Sequence, residues 1–96
     1  MATIDIKRNH SLGLEAAKTK AAELADGMKD KLGIAWRWEG NLIKFDAPSG
    51  MAKGTTGQLT VSDSSIRVEI DLPFLLRAMK GTVESKVTEK LDRAVA

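Results

Sequence analysis

The chain has 96 residues, with fifteen Lys and Arg against thirteen Asp and Glu, a net charge of +2 and no cysteine. That length fits one small domain, which at this size buries roughly 60 to 70% of its unfolded surface without covalent staples. The missing cysteine excludes a disulfide framework, a thiolate nucleophile and cysteine-ligated metal; the single histidine excludes a multi-histidine centre; and the balanced charge does not point to nucleic acid.

Residues 1–96 read as a single α+β domain. Met1-Ala2-Thr3-Ile4-Asp5-Ile6 has neither the basic nor the apolar region of a signal peptide. The apolar runs fall far short of the about 20 residues of a bilayer span, so a cytoplasmic location without a membrane span is expected.

Thr3 to Asn9 is predicted as a strand, with Ile4 and Ile6 on one face. A helix follows, with Ser11 as the expected N-cap and Leu14, Ala17, Ala21, Leu24, Met28 and Leu32 on one stripe. Gly33 stands where a C-terminal cap needs positive φ. The period then switches to two: Ile34, Trp36 and Trp38 alternate with Ala35, Arg37 and Glu39. Gly40-Asn41 is a turn signal, since both residues tolerate positive φ. Leu42 to Asp46 returns as a strand with Ile43 and Phe45 inward, and Ala47-Pro48-Ser49-Gly50 breaks it. Met51 to Gly57 reads equally as a loop or as the start of a strand. Gln58 to Ser62 places Leu59 and Val61 inward. After the turn Asp63-Ser64-Ser65, Ile66, Val68, Ile70 and Leu72 form the clearest alternating strand. Pro73 suits the first turn of a second helix, and Leu75, Leu76, Met79, Val83, Val87, Leu91 and Ala94 recur at helical spacing almost to the C-terminus. Gly81 marks a kink, a close approach to the sheet, or a break with Thr82 capping a further helix.

The order is β-α-β-β-β-β-α. Short turns make the central strands an antiparallel meander, and the first strand is expected beside Ile66–Leu72. One apolar sheet face and two amphipathic helices give a two-layer sandwich, with both helices on one face of a five-stranded sheet. The other face is expected to be solvated, carrying Asp5, Lys7, Arg37, Glu39, Lys44, Arg67, Glu69 and Asp71.

No constellation for catalysis stands out. His10 precedes a helix and fits a capping or surface role better than a base for Ser11. Glu39 and Asp46, and Glu69 and Asp71, alternate with apolar residues and therefore face solvent. Lys53-Gly54-Thr55-Thr56 lacks the spacing of a phosphate loop. No catalytic residue, metal site or cofactor is assigned. The candidate ligand-binding groove lies between the sheet and the C-terminal helix and is lined by Trp36, Trp38, Phe45 and Met79; core packing is the competing role of the two tryptophans. The last helix, with Arg77, Lys80, Lys86, Lys90 and Arg93 against Glu84, Glu89 and Asp92, is amphipathic and mildly basic.

Several stretches resemble the polyhydroxyalkanoic acid system proteins. They are Ile4-Asp5-Ile6-Lys7-Arg8-Asn9-His10-Ser11-Leu12-Gly13-Leu14-Glu15-Ala16-Ala17-Lys18, then Trp36-Arg37-Trp38-Glu39-Gly40-Asn41, and Lys53-Gly54-Thr55 on to Val61. Leu72-Pro73-Phe74-Leu75-Leu76-Arg77-Ala78-Met79-Lys80-Gly81 with Glu89-Lys90-Leu91-Asp92 is the most specific. Members are small bacterial proteins whose genes lie in polyhydroxyalkanoate storage regions. The resemblance implies a role in granule metabolism and brings no catalytic residues. The element order is also similar to a reduced helix-grip fold. The expected function is non-enzymatic binding of a granule surface, a granule-associated protein or an apolar chain. The alternatives are a small hydrophobic-ligand carrier of helix-grip type, then a nucleic-acid-binding regulator and, last, an enzyme, which would need Glu39, Asp46 or His10 to converge in a cleft.

Overall fold

The computed structural model describes residues 3–48 and 53–95, apart from the side chains of Lys31 and Leu32. Its elements are β1 (Ile4–Asn9), α1 (Leu14–Leu32), β2 (Ala35–Glu39), β3 (Leu42–Asp46), β4 (Thr56–Val61), β5 (Ser65–Asp71), a 3-10 turn (Phe74–Met79) and α2 (Lys80–Val95). All strand pairs are antiparallel, in the order β1-β5-β4-β3-β2. The predicted α+β sandwich and the pairing of the first strand with the fifth are as observed. The expected break at Ser49-Gly50 and the start of the ambiguous stretch at Met51 lie outside the described residues.

Period-two alternation sorts the side chains into rows across the sheet. One row runs Ile4, Ile70, Gly57, Phe45, Trp36; the next runs Ile6, Val68, Leu59, Ile43, Trp38. Apart from Gly57 and the two half-buried tryptophans, these residues are buried. A one-residue slip would turn an entire strand inside out, so burial of this face specifies the register. Gly57 interrupts the apolar row for a steric reason. A Cβ there would run into the Glu69 carbonyl oxygen and the Phe45 ring. The bare glycine lets the ring lie across β4.

α1 closes most of that face. Ala17, Ala21, Leu24, Ala25 and Met28 are buried, and the helix packs on β2, β3, β4, β5 and α2. Three of those five side chains are alanine, which lets the helix axis come close to the sheet. α2 buries Val87 and Leu91 against β1 and α1. The solvated face carries Arg67 gripping Asp5 with two hydrogen bonds, of 2.9 and 2.6 Å.

Two local expectations are corrected. Ser11 does not cap α1: Gly13 is the N-cap, with φ 81° and no side-chain bond. A glycine there reaches a positive φ that serine reaches only with strain, and its carbonyl accepts the Ala17 N–H at 3.0 Å. The Gly40-Asn41 turn forms where expected, with positive φ at Gly40 alone. The two-residue loop therefore has the φ signs of a type II′ turn, which asks for glycine at the first central position alone. The second helix does not run unbroken from Pro73. A 3-10 turn spans Phe74–Met79 and the α-helix begins at Lys80, so Thr82 caps nothing. A Cβ on Gly81 would meet nothing within 4 Å, which removes close approach to the sheet as its reason. The C-terminal cap at Gly33 is as expected, with φ 70° and its N–H bonded to the Lys29 carbonyl.

Two measurements check this account. Gly57→Ala forces the Phe45 ring or the β4–β5 ladder to move, and should cost about 1–3 kcal/mol in chemical denaturation. Hydrogen bonding from Arg67, and then its charge, holds the Asp5 carboxyl below its ordinary value. A folded value below the unfolded one means stabilisation that is complete above the ordinary carboxylate range and is lost as pH falls through the folded value. An NMR titration should place the Asp5 midpoint below that of an unstructured aspartate, and Asp5→Asn should flatten that part of the acid limb of stability.

Candidate functional site

Alternation on β2 sends Trp36 and Trp38 to the core face at the outermost strand. Both are half-buried against the core, with ring centroids 6.5 Å apart and ring planes 81° apart, an edge-to-face pair. α1 holds each of them in place. The Trp36 indole N–H donates to Asp26 Oδ1 at 3.1 Å. Lys18 Nζ stands 5.1 Å from the Trp38 ring centroid, in cation–π range. Asp26 and Lys18 are charged residues of α1 that no apolar period picks out. Their partners are ten and twenty residues away, beyond the reach of helical periodicity.

Phe45, in the adjacent strand, is only 3% exposed. It joins Trp36 across the β2–β3 register. Met79 is elsewhere. It lies at the end of the 3-10 turn, 46% exposed, and the turn packs on α2. α2 in turn packs on β1 and α1, on the far side of the sheet from β2. The structure therefore brings Trp36, Trp38 and Phe45 together beneath α1 and sets Met79 apart from them.

What sequence reading passed over is beside Met79. Phe74 is 82% and Leu75 is 87% exposed. Their 3-10 turn buries no residue, although Leu76 packs partly on the core. At helical spacing Leu75, Leu76 and Met79 look like one buried stripe. A 3-10 turn has three residues per revolution rather than 3.6, so its side chains leave that stripe. The turn is anchored to the residues that precede it. Its Leu76 N–H bonds the Pro73 carbonyl at 2.8 Å, and the Arg77 guanidinium reaches the Leu72 carbonyl at 3.4 Å. Gly54 has φ 93°, and a Cβ added there would come to 3.4 Å from the Pro73 ring. Beside it, Thr55 is buried with its hydroxyl unpartnered among the described residues. The apolar side chains thus stand on a braced platform flanked by the cations Arg77 and Lys80.

The solvated sheet face holds a concavity of about 620 Å³ lined by Arg37, Lys44, Asp46, Thr56, Glu69 and Asp71 among others. Its charges are mixed, and Glu39 pairs with both Arg37 and Lys44, at 3.2 and 4.0 Å. A second hollow of about 250 Å³ lies between α1 and α2, beside Gly27, Lys90 and Arg93. Among the described residues no three acidic or imidazole groups are placed to hold a metal ion, and no helix is long and apolar enough to cross a membrane.

His10 has both ring nitrogens engaged. Nδ1 lies 3.1 Å from the Leu12 backbone nitrogen, whose N–H it accepts, and Nε2 lies 3.1 Å from the Ser62 carbonyl. Nδ1 must be the unprotonated nitrogen and Nε2 must carry the hydrogen. The ring ties the β1–α1 connection to the β4–β5 turn, a structural role consistent with the capping or surface reading. Nitrogen-15 NMR at neutral pH should find the Nε2–H tautomer, with Leu12 N–H protected from exchange. His10→Ala should abolish that protection.

Residues 4–95 match the family described as "Putative polyhydroxyalkanoic acid system protein". No curated protein and no solved structure matches the chain. The match spans nearly all of the sequence, and the chain belongs to this family.

Proposed function

We propose that this polyhydroxyalkanoic acid system protein is a non-enzymatic surface binder, which attaches to the polyester granule through the 3-10 turn Phe74–Met79. The observation that carries the reading is the exposure of Phe74 and Leu75, two large apolar side chains at the tip of a braced turn. Exposed single hydrophobes are ordinary, but here three of six consecutive residues, Phe74, Leu75 and Met79, are large, apolar and uncovered. Transfer of a Phe or Leu side chain out of water is worth about 1.5–3 kcal/mol each. An aliphatic polyester offers an apolar surface to receive them.

The attachment point differs from a docked amphipathic helix. The apolar stripe of α2 is already used, with Val87 and Leu91 buried. The helix has no need to undock, because the free apolar surface precedes it. Arg77 and Lys80 flank the patch and keep it wet at its rim, which favours reversible attachment over aggregation.

Co-sedimentation with amorphous poly(3-hydroxybutyrate) particles tests the proposal. The wild-type chain should pellet with the particles. Phe74→Ser/Leu75→Ser should reduce the bound fraction by about tenfold or more, the expectation from losing two such transfers. Both positions are exposed, so circular dichroism should be unchanged. Undiminished binding by the double variant would remove the turn from the proposal.

A further inference from the structure

We infer that the free edge of β2 pairs with the same edge of a second copy of this chain, giving a two-fold symmetric dimer with one continuous sheet. The two edges of the sheet are treated differently. At the β1 edge, α2 packs alongside, Arg8 reaches across to Asp92, and the Arg8 guanidinium also donates to the Lys7 carbonyl. At the β2 edge α1 covers only the core face, and no described side chain bonds across to the strand's outer backbone groups. Among the described residues, the backbone of 34–40 makes no hydrogen bond beyond its own strand pairing. No proline and no bulge interrupts Ala35–Glu39, the usual devices that blunt an edge.

The register of that edge follows from the hairpin. Glu39 and Leu42 flank a two-residue loop and face each other. In such a turn they exchange backbone hydrogen bonds, so Glu39, Arg37 and Ala35 direct their backbone groups toward β3. The N–H and C=O groups of Trp36 and Trp38 then point outward.

The occupant follows from the sequence of the edge. Ala35-Trp36-Arg37-Trp38-Glu39 is palindromic about Arg37 in its two tryptophans. An antiparallel copy centred on Arg37 pairs Trp36 with the partner's Trp38, and Trp38 with the partner's Trp36. Both pairs use the outward backbone groups, and both place indole beside indole on the core face. An arbitrary extended peptide matches the backbone but not the tryptophans. The cost is Arg37 opposite the partner's Arg37. Each guanidinium already has Glu39 of its own strand at 3.2 Å, which offsets the like charges. In this register Ala35 lies opposite the partner's Glu39, twice per dimer by symmetry.

Sedimentation velocity over a concentration series, with tryptophan emission read on the same samples, tests the inference. The chain has two tryptophans and both lie at the contact. Concentration-dependent dimerisation with a matching blue shift is expected. Ala35→Glu should weaken the dimer by about tenfold and Ala35→Lys should tighten it, because each meets the partner's Glu39. Circular dichroism on both variants controls for their shared neighbour Asp46 on β3. Phe74→Ser/Leu75→Ser should dimerise like wild type, which separates this contact from the proposed granule-binding turn. A monomer at all concentrations, equal effects of Ala35→Glu and Ala35→Lys, or loss of the dimer in Phe74→Ser/Leu75→Ser would each overturn the β2 edge as the contact.

Discussion

The ring of Phe45 lies across Gly57, and much of the structure is arranged around that fit. The ring needs a strand position with no side chain, and β4 supplies it. With the two in register, β3 and β4 are locked, and their neighbours β2 and β5 inherit the alignment. The apolar face that results is continuous from Ile4 to Trp36. It has to be covered, because its rows of isoleucine, valine and leucine are too costly to leave in water.

Two helices provide the cover unequally. α1 brings alanines to the sheet and lies across four strands. α2 commits its apolar stripe to β1 and to α1. This division leaves two features outside the core: the tip of the 3-10 turn and the outer edge of β2. Chains of this size have little apolar surface to spare. Both features are therefore informative, since neither is needed to close the fold. The turn exposes side chains and the edge exposes backbone groups, so the two suit different partners. A polyester surface offers no ordered ladder of donors and acceptors, whereas a second β2 strand does.

Much of the fold was legible in the sequence because it rests on local periodicity. Ile66, Val68 and Ile70 alternate and are buried; Ala17, Ala21, Leu24 and Met28 recur at helical spacing and are buried. Gly33 and Gly40 announced positive φ. The errors share a cause. Ser11 was expected to cap a helix that begins after Gly13, because a hydroxyl before an apolar run is a common cap and glycine is a less frequent one. The helical pattern through Leu75 and Met79 was read as continuous, although Phe74–Met79 winds as a 3-10 turn. Of the proposed groove residues, Trp36, Trp38 and Phe45 share a face by alternation and are neighbours. Met79 belonged to a different element whose position depends on where α2 docks.

The sequence by itself determined the order of elements and the two faces of the sheet, since these follow from the period of the apolar residues and the turn signals between them. It also carried the family, through motifs spread over the whole chain. Only the tertiary structure decided which strand edge stays open, that Asp26 and Lys18 hold the two tryptophans, and that His10 bridges Leu12 and Ser62. It also decided that Phe74 and Leu75 stand in water. Exposure is not a property of a residue or of its local period. It depends on which distant segment comes to lie over that residue, and for Phe74 and Leu75 none among the described residues does.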